Sequence, residues 1–128
     1  MKKEDHFKAY KEHRDRINWA IERGIVNSQR IIGSHASRAI IELFSAFLHK
    51  INAIEIGFQI NHRWFKSQRV YEKFTDFPEK SVIIKKLIDL ELKSEGLTYG
   101  SQKTEKEIKD IIILSNEIEK IILNLMGE

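Results

Sequence analysis

Four long stretches of this chain repeat their apolar residues at helical spacing, and little can interrupt them: the 128 residues include one proline and six glycines. That is too few turn-formers for a many-stranded sandwich or barrel. The pattern predicts an all-α fold: an antiparallel bundle of four main helices plus a shorter helical segment, with residues 1–128 forming a single domain. A chain of this length buries roughly two-thirds of its unfolded surface, enough for a core without staples. With no cysteine, disulfides and thiolate metal sites are excluded.

The first helix is predicted from about Glu4 to Arg23, closing at Gly24, with Phe7, Tyr10, Ile17 and Ile21 on one stripe. Arg14 falls inside that stripe, where a charge must snorkel or pair. Residues 25–34 read as a connection, with Asn27, Ser28 and Ser34 as N-cap choices. The second helix is predicted from about His35 to Ile56, ended or kinked by Gly57. Its wide apolar face, including Leu43, Phe44, Phe47 and Leu48, predicts the most buried helix. Phe58–Phe74 is the shorter helical segment. Thr75-Asp-Phe-Pro78 starts the next helix with Asp76 as cap, and that helix is expected to stop at Gly96 before a loop over 96–101. The last helix opens on a capping box, Thr104 to Glu107, and follows the stripe Ile108, Ile111, Ser115, Ile118 and Ile122.

Charge and chemistry are unevenly spread. Residues 1–75 carry 14 Lys/Arg against 8 Asp/Glu, a net of +6; residues 76–128 carry 8 against 11, a net of −3. All seven Arg, all five His and both Trp lie in the first part. Arg suits bidentate anion contacts and His suits proton transfer, so a site is expected there.

Three constellations could carry chemistry. His35, Arg38, Glu42, Ser45 and His49 form a polar line along the second helix. They could line a wet cleft, or a solvated face with an Arg38–Glu42 pair. Arg30 and His35, five residues apart, could hold a phosphate and move a proton. Around His62, Arg63 and Trp64, basic and aromatic residues alternate as they do where phosphates and unpaired bases are bound, or else they form an amphipathic packing segment. Phosphate-loop, dinucleotide, nucleophile-elbow and helical zinc motifs are absent from the sequence, and no cofactor or metal is expected. No unbroken apolar run reaches the roughly 20 residues of a membrane span, and the first residues lack a signal peptide's apolar stretch. A cytoplasmic protein without a membrane partner is expected.

The stretch Ser34-His-Ala-Ser-Arg38-Ala-Ile-Ile-Glu-Leu-Phe-Ser-Ala-Phe-Leu48 resembles the second helix of HEPN domains. The resemblance implies a small helical bundle, often dimeric, among whose members are RNA-cleaving toxins and RNA-binding accessory proteins. The family's signature is an Arg, a polar residue, a short spacer and a His. Arg30 and His35 match its spacing, but Ile31 stands in the polar place and the pair lies upstream of the helix rather than downstream.

The expected function is RNA association, with Arg38, Glu42, Ser45, Arg14, His62, Arg63 and Trp64 as binding residues. In a metal-independent cleaving version, Arg30, His35 and His49 would be catalytic, the two imidazoles exchanging base and acid roles, with a homodimer completing the site. A noncatalytic helical interaction protein, docking a partner protein or a second copy, is the alternative. A small-molecule site around Arg14, His35 and Trp64 is a third reading.

Overall fold

The computed structural model describes residues 2–127. It is an all-α bundle of α1 (Lys3–Arg23), α2 (Gln29–Lys50), two 3-10 turns (His62–Lys66 and Gln68–Lys73), α3 (Lys80–Tyr99) and α4 (Glu105–Met126). Cross-helix pairs give the directions. His6 meets Glu42 and His13 meets His35, so α1 and α2 are antiparallel. Ser37 meets Glu91 and Gly33 abuts Leu97, so α2 and α3 are antiparallel. Gln29 holds Lys103 and Lys50 holds Met126, so α2 and α4 run parallel. The bundle is therefore up-down-up-down.

α2 is the central element, touching α1, α3, α4 and the first 3-10 turn. It is the most buried helix, as its wide apolar face predicts. By length and composition α2 alone would pass for a membrane-spanning helix; a search for an unbroken apolar run misses this because Arg38 and Glu42 interrupt it. Here most of its length is buried against the other helices.

Several boundaries differ from the sequence expectation, each for a physical reason. α2 begins at Gln29, inside the supposed connection. Its first turn is fixed by tertiary contacts: Ile32 and Gly33 are buried, and the Gln29 amide bonds the Leu97 and Ser101 carbonyls and the Lys103 N–H. α2 ends at Lys50, not near Ile56. Asn52 takes the left-handed conformation (φ 57°), while Ala53 N–H bonds Leu48 O and Asn52 N–H bonds His49 O. That is a Schellman ending with Asn in the place glycine usually holds. Gly57, also at positive φ, lies in the loop beyond.

Residues 58–74 form no α-helix. The Asn61 carboxamide accepts from Arg63 N–H and the Ser67 hydroxyl accepts from Arg69 N–H, so two local caps divide the segment into separate 3-10 turns. Phe65, Val70, Phe74 and Phe77 are buried and anchor it to the core. Asp76 caps only the Phe77 N–H, ahead of the helix, and Glu79 is the residue before α3. α3 runs through Gly96 to Tyr99 rather than stopping there. Thr104 caps α4 as expected, accepting from Glu107 N–H at 3.2 Å.

Candidate functional site

A tight approach of α2 and α3 at Gly33 borders a cleft. Gly33 has no side chain to hold Leu97 and Thr98 away, so the helices converge there. One turn further along α2, a cleft of about 230 Å³ opens, roofed by the first 3-10 turn. It is lined by Ser37 and Arg38 of α2, His62, Arg63 and Lys66 of the turn, and Glu91, Ser94 and Tyr99 of α3.

The floor is polar and organised. Glu91 is only 4% exposed, and a carboxylate buried this deeply must be satisfied by hydrogen bonds. The Ser37 hydroxyl donates to its Oε1 at 2.7 Å, and His62 Nδ1 lies 3.0 Å from both oxygens. The carboxylate thereby fixes the imidazole, leaving Nε2 as its second functional nitrogen. Beside it Ser94, 3% exposed, has a hydroxyl with no hydrogen-bond partner among the described residues.

The walls are cationic. Lys66 pairs with Glu95 at 2.8 Å. Arg38 and Arg63 meet no carboxylate among the described residues. Three cationic side chains, Arg38, Arg63 and Lys66, line the cleft against two carboxylates, Glu91 and Glu95, and the two guanidiniums come from separate elements. A tetrahedral oxyanion held by guanidinium forks suits such a surface.

The other histidines gather elsewhere. His6 and His13 of α1 face His35, Glu42 and His49 of α2, seven-residue steps on both helices placing them along one seam. His6 Nδ1 lies 2.7 Å from Glu42 Oε2, and its ring stacks on His49 with centroids 5.2 Å apart. His13 and His35 meet Nδ1 to Nδ1 at 2.8 Å with centroids 5.1 Å apart. The centroid separation is little more than the N–N distance plus two ring radii, so the two nitrogens point at each other. One must carry the hydrogen and the other the lone pair. That is a proton-sharing pair, not two lone pairs converging on a metal. Among the described residues no three His, Asp or Glu side chains are placed to hold a metal ion.

This seam should make stability fall in mild acid. Burial holds His13 below the ordinary imidazole value of 6.5, although Glu42 and Glu12 pull the other way and Arg38 adds to the lowering. Burial, His13, Arg16 and Arg38 all lower His35. Burial and His6 lower His49. With folded pKa values below unfolded ones, the unfolded chain binds more protons in that interval, so stability rises with pH there. The contribution is fully present above pH 6.5 and is lost as pH falls through the lowered values. Thermal melts at pH 7.5 and 5.5 should show a lower midpoint at 5.5, and His13→Gln should reduce the difference. Equal midpoints would mean that the seam does not titrate.

The expected site residues thus divide between places. Arg38, His62 and Arg63 line the cleft. His35, Glu42 and His49 lie in the α1–α2 seam, with Glu42 engaging His6 rather than Arg38. His35 and His49 are fourteen residues apart, about 21 Å along a helix, so within one chain they cannot serve one phosphate as acid and base. Arg30 donates to the Thr98 and Gly100 carbonyls at 2.5 and 3.1 Å, fastening the end of α3. Ser45 is buried and donates to Ile41 O. Arg14 pairs with Glu119 at 3.2 Å and Asn116 at 2.8 Å, so it has the carboxylate partner that a ligand would otherwise supply. Trp64 packs on Phe58 beneath the Lys73 ammonium. The cleft residues missed from sequence are Ser37, Glu91, Ser94 and Tyr99. Glu91 alone carried a signal, a carboxylate on the apolar face of its helix.

No protein-family model matches the chain, and neither a curated protein nor a solved structure is detectably similar to it.

Proposed function

We propose that this chain binds RNA through the cleft between α2, the first 3-10 turn and α3. The observation that carries the reading is the pair Arg38 and Arg63, two guanidiniums that line one cleft from separate elements and have no carboxylate ion pair among the described residues. Backbone phosphates match that donor set. The resemblance of Ser34–Leu48 to the second helix of HEPN domains points the same way.

His62 gives the reading a cleaving version. Oriented by Glu91, its Nε2 would take the proton of a 2′-hydroxyl as that oxygen attacks phosphorus. The P–O5′ bond breaks, water protonates the departing 5′ oxygen, and the product is a 2′,3′-cyclic phosphate. Arg38 and Arg63 would stabilise the charge developing on phosphorus. The proton-transfer role thereby falls to His62 rather than to His35 or His49.

The test is fluorescence anisotropy with a short single-stranded RNA at two salt concentrations, without added metal, and a gel of the same RNA. Binding should weaken with salt, and Arg38→Ala should weaken it by about tenfold, the size of one charge-assisted contact. The salt slope should flatten by about 0.7, one phosphate's worth. Binding that is absent at low salt, or indifferent to Arg38→Ala, overturns the reading. Cleavage, where the gel shows it, should vanish in His62→Ala and survive in His49→Ala.

One observation favours the second reading, a noncatalytic docking protein: Ile51, Ile56 and Phe58 are exposed in the loop after α2. A chain that ignores RNA but self-associates through that loop would be of this kind.

A further inference from the structure

Tyr99 is the most exposed large hydrophobic side chain among the described residues, 78% accessible, and it stands on the rim of the cleft. An isolated exposed tyrosine needs no explanation. What surrounds this one does. The backbone on both sides of it is fastened to the first turn of α2. Arg30 donates to Thr98 O and Gly100 O, on either side of the ring. The buried Gln29 amide donates to Leu97 O and Ser101 O, two residues away on each side, and its oxygen accepts from Lys103 N–H. The backbone itself closes tightly here: Gly100 N–H bonds Gly96 O, and a Cβ on Gly100 would collide with that same carbonyl oxygen.

An aromatic ring is thus presented to solvent on a backbone tied down on both sides. Holding that backbone before binding removes part of the ordering cost of stacking on the ring it carries. The ring also borders the same cavity as Arg38 and Arg63. A nucleotide whose phosphate meets those guanidiniums carries its base within reach of the rim. Only an unpaired base offers a face to stack, because in a duplex both faces are covered by neighbours.

We infer that Tyr99 is a stacking platform for an unpaired base, so that the cleft takes single-stranded rather than duplex RNA. This rests on the reading of the cleft as a phosphate seat. Arg30 and Gln29 are positioning residues, acting through the backbone they hold.

The experiment compares a short single-stranded RNA with its blunt duplex, using wild type, Tyr99→Ala and Tyr99→Phe. The expected result is tighter binding of the single strand. Tyr99→Ala should weaken that binding by about tenfold, within the range of one base–aromatic stack, and leave duplex binding unchanged. Tyr99→Phe should bind as wild type, since the ring and not the hydroxyl is used. The exposed position makes loss of folding no explanation, and a melt of each variant checks it. Wild type binding neither RNA overturns the cleft reading and this inference together. Single-strand binding that depends on Arg38 but not on Tyr99, or a Tyr99→Ala loss equal for both RNAs, overturns the inference alone.

Discussion

Phe44→Ala should lower the unfolding free energy by about 3–5 kcal/mol in a urea melt, the cost of deleting a fully buried aromatic. Phe44 is wholly inaccessible and is the ring on which the segment between α2 and α3 hangs. Phe65, Phe74 and Phe77 surround it at centroid distances of 6.2, 5.4 and 5.6 Å. These are edge-to-face and tilted contacts, which add to the area buried. The 3-10 turns insert Phe65 and Val70 into the core, so their position depends on this cluster. His62 and Arg63 stand three and two residues before Phe65 in the same turn. Where folded protein remains, Phe44→Ala should therefore weaken RNA binding as well. Ile113→Ala, at a position 60% exposed, is the control and should change stability little. A loss below about 1 kcal/mol for Phe44→Ala would mean that the ring cluster does not hold the segment.

Gly33→Ala is the second large effect. A Cβ at this position would lie 2.7 Å from Leu97 Cβ, 2.7 Å from Thr98 Oγ1 and 2.8 Å from Thr98 N. Two of those atoms cannot rotate away, so α2 and α3 must separate. Overpacking of this kind costs about 1–3 kcal/mol. Ser37 lies one turn along α2 from Gly33, and its bond to Glu91 at 2.7 Å should lengthen or break. Stability and RNA affinity should fall together. Gly96→Ala is the matched control: nothing lies within 4 Å of its added Cβ, and alanine favours a helix interior by about 0.5–1 kcal/mol over glycine. Equal melts for the two variants would show that the Gly33 contact is not tight.

Much of the bundle was legible in the residues because helix patterning is local. The capping box at Thr104, the glycine after Arg23 and the apolar face of α2 each act within a few residues of themselves. The boundaries that depart from the local pattern depend mostly on distant groups. Nothing near Gln29 announces that its amide will bind carbonyls beyond Leu97, and that contact extends α2 backward. Asn52 is a local signal for the end of α2, since asparagine also adopts positive φ, but glycine at Gly57 is the stronger residue type for it.

The candidate site was half legible. Arg38, His62 and Arg63 stand out by residue type in a chain whose arginines and histidines are all in one part. Their convergence with Glu91, and the diversion of His35, Glu42 and His49 into a different seam, follow from which faces of α2 meet α1 and α3. Helical periodicity assigns residues to faces, but does not say which neighbour covers each face.

Fold class, the central place of α2 and the types of group available for chemistry are all written in the residues, since propensity, capping and amphipathic period are properties of short segments. Which cations lack ion-pair partners is set by packing. Whether an arginine is paired depends on carboxylates brought in from other helices: Glu119 reaches Arg14, but among the described residues none pairs with Arg38 or Arg63. Coulomb attraction acts over a few ångströms of space, whatever the separation along the chain.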